Sequence, residues 1–295
     1  MNPIMIACMK PNGTSQVNAK CPSQHPAGKG NPTAFTVLEL LVILAIIAIL
    51  AAMLLPVLSR SKLNMQRVSC LNNLRQMAIS RHVYTEDNQG NLILSVVGED
   101  SIDTAVQTGD AKVMLCPSTQ PPTLTSASSS PPGGGWGAAD TMYVGTNDTS
   151  ASAYGSYAIN GWLSLDHPPV DSFRQYFFKT DADLKSPDNT PLFEDSIWYY
   201  VFPLENDPTP NSADLYHGSH SNRTGCGHDI GECLIDRHDY HSAASATRAF
   251  HYQRGQFLPG WINMVFADNH AGVVRLDDLW TYTWHRGWLT PSPHP

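Results

Sequence analysis

Apolar positions are unevenly spread along the chain. Leu40 to Leu55 are 16 consecutive apolar residues, and the wider run from Phe35 to Leu58 is broken only by Thr36, Glu39 and Pro56. As a helix, this run of 24 residues would be about 36 Å long, enough to cross the roughly 30 Å hydrocarbon core of a bilayer. The period then changes. Val68, Leu71, Leu74, Ala78 and His82 recur at steps of three and four, with Asn72, Asn73, Arg75, Gln76 and Arg81 on the other side. That spacing predicts an amphipathic continuation of the same helix to about Asp87, where Asn88-Gln89-Gly90-Asn91 supplies stop signals.

Beyond residue 89 the pattern is that of a β-rich head with long connections. Residues 117–156 are dominated by Ser, Thr, Pro and Gly and read as a surface loop. Ile197 to Phe202 and Ile262 to Ala267 read as strands bounded by turn formers. The second leads into Asp268-Asn269 and then His270 to Leu276, which predicts a hairpin with a two-residue turn, because Asp and Asn tolerate the left-handed conformations it needs.

Charge sharpens the picture at the N-terminus. Only 15% of the 295 residues are charged, against roughly a quarter in an ordinary soluble domain. The net charge of −8 argues against binding to nucleic-acid phosphates, which needs a basic face. Residues 1–38 hold Lys10, Lys20 and Lys29 and none of the 26 acids. A polar, basic, acid-free segment before an apolar block has the form of a targeting leader; Met5 and Met9 are alternative starts. A secretory cleavage site near Ala51-Ala52 does not fit, because Leu54, Leu55, Pro56 and Val57 follow. Within the run, Glu39 stands out, since an ionised carboxylate in a membrane costs several kcal/mol unless paired. A free α-amine at Phe35, from the same chain or a neighbouring copy, would be a suitable partner.

The segment Ala34-Phe35-Thr36-Val37-Leu38-Glu39-Leu40-Leu41-Val42 resembles the type IV prepilin motif, in which a peptidase cuts just before a Phe. The resemblance implies cleavage between Ala34 and Phe35 and methylation of Phe35. It places the family's glutamate at Glu39 and its helix-kinking proline at Pro56. The residue before the cut is Ala34 where the family has Gly, and the leader is long for the family. Arg60, Lys62, Arg67, Arg75 and Arg81 follow the span and outnumber the leader lysines, so the positive-inside rule alone would reverse the orientation; the motif places the head outside the cytoplasm.

Further segments, Cys116-Pro117-Ser118, Ser156 to Asn160, Thr190 to Ser196, Arg237-His238 and Phe266 to His270, resemble the large pilin-like proteins of planctomycete and verrucomicrobial bacteria. These carry a His–Asp–Gly signature near the end, with Asn269 here in place of the Gly. Leu279-Trp280 and Trp284 to Trp288 fit the same branch. The resemblance implies an α+β fold: a leader (1–34), a membrane-spanning half-helix (35–58), its amphipathic continuation (59–88), and a β-rich pilin-like head (89–295). It further implies a subunit of a type IV pilus or type II secretion pseudopilus, in the inner membrane before assembly. Its partners would be prepilin peptidase, other pilin or pseudopilin subunits, the inner-membrane assembly platform and membrane lipids. Some pseudopilins hold calcium in a C-terminal loop, for which Asp268, Asp277 and Asp278 would offer oxygen ligands; no other cofactor is expected.

Removing the leader with Cys8 and Cys21 leaves Cys70, Cys116, Cys226 and Cys233, an even number in a segment expected to be oxidised. Three pairings are possible, besides free buried thiols, and the expected one joins Cys70 with Cys116 and Cys226 with Cys233. Cys70 with Cys116 would fasten the helix to the head, and Cys226 with Cys233 would close a short Gly-rich loop. His217-x-x-His220 and His238-x-x-His241, with Asp229, Asp236 or Asp239, have spacings that a transition metal can use, but no HExxH helix accompanies them. No nucleophile elbow, P-loop or dinucleotide fingerprint is present, so no enzymatic activity is expected. The competing readings are a membrane-anchored binding module that never polymerises and, remotely, a metal-dependent hydrolase on a stalk.

Overall fold

The computed structural model describes residues 36–87, 111–121, 137–146, 152–163, 171–208, 215–219, 229–238 and 257–292. The chain divides into two compact units, residues 1–53 and 54–295. One helix, α1 (Val37–Asp87), contains Pro56. Its start is fixed by a reciprocal capping arrangement: the Thr36 N–H and Oγ1–H each donate to Glu39 Oε2 at 2.9 Å, and the Glu39 N–H donates to Thr36 Oγ1 at 3.2 Å. Pro56 has no N–H to offer the helix, and just beyond it Ser59 and Ser61 return their hydroxyls to the carbonyls of Leu55 and Val57.

From Val37 to Leu58 every large apolar side chain is exposed, most of them by more than half. This helix is long and apolar enough to cross a membrane. Farther along, the buried stripe is Cys70, Leu74, Met77, Ala78, Arg81 and Thr85. It overlaps the expected face at Leu74 and Ala78 only. Val68 is 61% exposed and His82 also faces solvent, while Arg81, expected outside, lies inside. The anchoring residue is Cys70, and steps of four, seven, eight, eleven and fifteen from it keep one side of an α-helix inward.

The head is built on a five-stranded sheet in the order β5-β3-β4-β6-β7, formed by β3 (Tyr157–Asn160), β4 (Pro191–Asp195), β5 (Tyr200–Val201), β6 (Trp261–Phe266) and β7 (Ala271–Arg275). Neighbours are antiparallel except β3 and β5, which run parallel. The central strands β3 and β4 are buried along their whole length, while β7 at the edge is mostly half-exposed. Cys70, Leu74, Met77 and Ala78 of α1 share one core with these strands and with Trp162, Trp280 and Trp284. A separate hairpin, β1 (Tyr143–Thr146) with β2 (Ser152–Gly155), lies within the segment expected to be surface loop, and Ala138, Ala139, Met142 and Tyr143 there are buried.

Two strand expectations are refined. The expected strand from Ile197 to Phe202 pairs only at Tyr200–Val201, because Ile197 uses its N–H on Glu232 O and its carbonyl on the Gly137 N–H. The β6–β7 hairpin forms, but Phe266 N–H bonds to His270 O and the turn has three residues, 267–269. Asn269 takes the left-handed position, φ 70°, as three-residue hairpin loops require at their last residue.

Candidate functional site

A fully buried polar network forms where α1, β4, β6 and two connecting segments meet. Its anchor is Asp195, the last residue of β4, with no solvent exposure. Asp195 Oδ2 accepts the backbone N–H of Asn263 on β6 at 2.7 Å and lies 2.9 Å from His238 Nε2. Asp195 Oδ1 accepts from Arg237 Nη1 at 3.3 Å. Burial alone would raise the Asp195 carboxyl, but the facing His238 and Arg237 and the Asn263 amide outweigh it and hold the group below its ordinary range.

Arg237 spends all five of its N–H groups here. Nε donates to Ala139 O at 3.1 Å, Nη2 to Ala138 O at 3.1 Å and Ser196 O at 2.8 Å, and Nη1 to Ser156 O as well as to Asp195. One guanidinium thereby closes three chain segments around β4, which its rigid five-donor fork suits and a lysine would not.

His238 stands between this ion pair and the disulfide. Its side chain is 2% exposed. Besides Asp195, Nε2 meets Asn263 Nδ2 at 2.7 Å, and Asn263 Nδ2 also donates to Arg67 O of α1 at 3.3 Å. A ring nitrogen offers one proton or one lone pair. The Asp195 contact is served by a proton on Nε2 and the Asn263 amide by a lone pair there, so the two neighbours favour opposite tautomers; among the described residues Nδ1 has no partner. One ring nitrogen of His238 and both sulfurs of Cys70 and Cys116 lie within 4.8 Å of one another.

Cys70 and Cys116 are joined in a disulfide, as expected, with Cα atoms 5.1 Å apart. Polar bonds surround it: Gln66 Nε2 donates to Pro117 O at 2.9 Å, Asn73 Nδ2 to Leu115 O at 3.0 Å, and Thr119 Oγ1 to Cys116 O at 2.8 Å. Thr119 and Ser156 hydroxyls meet at 2.7 Å. The 111–121 segment is thus held to α1 both covalently and by side-chain amides.

The other expectations fare differently. Cys233 is a buried free thiol, not half of a disulfide; it ends an inward-facing 3-10 helix, Ile230–Cys233, that is buried at every residue. Cys226 lies outside the described residues, as do Ala34 and Phe35, His220 and His241. Among the described residues, no compact group of three potential metal ligands includes Asp268, Asp277 or Asp278. Asp268 Oδ1 instead accepts both the N–H and Nδ1 of His270, Asp277 Oδ1 accepts the Leu258 N–H, and the Asp278 carbonyl accepts from Thr281.

Asp195 and Asn263 were missed as site residues. The one signal was an acidic pair, Glu194-Asp195, closing an otherwise apolar strand. The head segments that carry the resemblance, around Cys116, Ser156, Asp195 and Arg237-His238, are those the network draws together. No protein-family model, curated protein or solved structure matches the chain.

Proposed function

We propose that the protein is a pilin-like filament subunit, cut by prepilin peptidase before Phe35, held in the inner membrane by the first half of α1 and assembled through that same half into a pilus or secretion pseudopilus. The observation that carries the reading is the helix itself. Its apolar half exposes side chains from Val37 to Leu58, an area that water does not tolerate and that lipid or neighbouring copies would cover. Glu39 and Pro56 sit in it at the spacing of the prepilin motif. Support also comes from the second half, which is stapled to the head at Cys70, so that force on the helix would pass into the head through a covalent bond. The role of the head is structural in this reading, and the buried Asp195 network would serve rigidity rather than catalysis.

The Thr36–Glu39 cap gives the assembly step a physical basis. It holds the Glu39 carboxylate against the Thr36 N–H, one residue after the α-amine that cleavage would create at Phe35. In the apolar interior of a filament that carboxylate would pair with an α-ammonium of its own or a neighbouring subunit, and removing one partner of such a pair costs about 3–5 kcal/mol. Three variants separate charge from capping. Glu39→Gln keeps the capping geometry and removes the charge; Thr36→Ala does the reverse; Glu86→Ala, beyond the apolar half, is the control. The reading expects Glu39→Gln and Glu39→Ala to insert into membranes normally yet be nearly absent from sheared filaments, with Thr36→Ala and Glu86→Ala close to wild type. Wild-type incorporation of Glu39→Gln contradicts it and favours an anchored module that does not polymerise.

A further inference from the structure

We infer that the junction between α1 and the head is a thiol-dependent metal site: when the disulfide is open, Cys70, Cys116 and His238 form a buried S2N set for a thiophilic ion of the Zn2+ class. Three observations place it. Both sulfurs and a ring nitrogen of His238 lie within 4.8 Å of one another, with all three residues buried. The His238 Nδ1 atom has no partner among the described residues, so no other group competes for it. With Nδ1 as the ligand atom, Nε2, 2.9 Å from Asp195 Oδ2, would have beside it the kind of carboxylate that fixes the tautomer and orientation of metal-bound histidines.

The chemistry balances simply. A dithiol reductant supplies two electrons and two protons, itself becoming a disulfide, and opens Cys70–Cys116 to two thiols. Zn2+ then displaces both thiol protons and binds two thiolates and the neutral imidazole, leaving a fourth position for water or another small ligand. With Zn–S bonds of about 2.3 Å and tetrahedral angles, the sulfurs must part to about 3.8 Å. Rotation about the two Cα–Cβ bonds provides this from the present Cα separation of 5.1 Å. Disulfide and metal are therefore alternative closures of one junction, chosen by redox state: the oxidised chain has no thiolate to offer, and the metal-loaded chain has no free thiol to oxidise.

The test uses the full chain in detergent, reduced or oxidised, with Zn2+ and with Co2+ as its spectroscopic stand-in. The reduced chain should bind one equivalent, release two protons per ion and show thiolate-to-cobalt charge-transfer absorption. Peptide mass spectrometry after alkylation should show Cys70 and Cys116 protected by Zn2+, with Cys233 unaffected. The oxidised chain should show no such absorption. Asp195→Asn should weaken binding at least 10-fold, in line with losses of 10–100-fold on removal of outer-shell partners, and His238→Ala, which removes a ligand, should weaken it further. Either variant could disturb the fold, so wild-type alkylation decides independently: equal rates at Cys70 and Cys116 with and without Zn2+ overturn the assignment. So does equal Co2+ absorption by oxidised and reduced chains.

Discussion

Opening the Cys70–Cys116 bond in metal-free buffer should remove a large share of the head's stability. The bond joins residues separated by 46 positions in the sequence. In the loop-entropy account, closing a loop of that length lowers the entropy of the unfolded chain by about 13.5 cal/mol/K, or about 4 kcal/mol at 25 °C. Typical domains are stable by only about 5–15 kcal/mol, so a shift of this size is conspicuous. Both cysteines are completely buried, and a double Ala variant would add a packing loss to the entropic one. Reduction of the wild type isolates the bond, and comparison with Cys70→Ala/Cys116→Ala gives the packing. The assay is denaturant unfolding of the full chain in detergent, followed by tryptophan fluorescence, since Trp162, Trp280 and Trp284 are buried. The expected result is a loss of about 4 kcal/mol on reduction with an unchanged near-ultraviolet spectrum in the absence of denaturant. A loss below about 1 kcal/mol refutes the reasoning: the side-chain bonds from Gln66 and Asn73 to the 111–121 segment would then restrain that segment without the covalent link.

Arg237→Lys keeps the charge but should destabilise the head by at least about 1–3 kcal/mol, the cost of leaving a buried acceptor unpaired, because a lysine has three donors and cannot serve the four carbonyls and the Asp195 carboxylate together; unfolding indistinguishable from wild type would contradict this. The head should also lose stability as pH rises from about 5 to 8. Burial pushes Asp207 up to about 7, and burial with neighbouring acids raises Glu194 and Glu232 well above the ordinary glutamate value. Groups raised on folding stabilise below their unfolded values and lose that contribution as pH climbs through the folded ones. Asp195, held low, acts oppositely and removes stability only as pH falls through the acid range. Melting temperatures should therefore peak on the acid side of neutrality, and Asp207→Asn should flatten the decline; a melting temperature that rises from pH 5 to 8 contradicts the assignment. Asn269→Gly should be neutral or stabilising by up to about 1 kcal/mol, since glycine carries no penalty at positive φ, whereas Asn269→Val should destabilise; equal melting temperatures for the two would remove the argument.

What could be read in the sequence was what local pattern decides. The long helix, the β6–β7 hairpin and the helix-to-head disulfide all rest on period, turn residues or the position of two cysteines. The helix face was read only in part: periodicity alone allowed Val68 and His82 into the stripe, and the placement of Cys70 against the head selected a neighbouring one that buries Arg81. Charge misled for the same reason, because a lone Arg or an Asp beside a strand looks solvated until its partners are known. Arg67, Cys116, Asp195, His238 and Asn263 are scattered over nearly 200 positions, and no local signal ties them together. Thr36-x-x-Glu39 has the spacing of a capping box, so this contact lay within reach of local pattern. The Cys226–Cys233 expectation treated a glycine-rich stretch as an open loop, whereas Cys233 is sealed within the core.

The central claim, that this chain is processed and assembled as a pilin-like subunit, is tested most directly by intact-mass and N-terminal peptide mass spectrometry. The sample should be the chain recovered from membranes and from sheared filaments of a host with a working prepilin peptidase. The account predicts a mature chain that begins at N-methylated Phe35 in both fractions and lacks the first 34 residues. A chain that retains its leader, or one cut near Ala51, contradicts it.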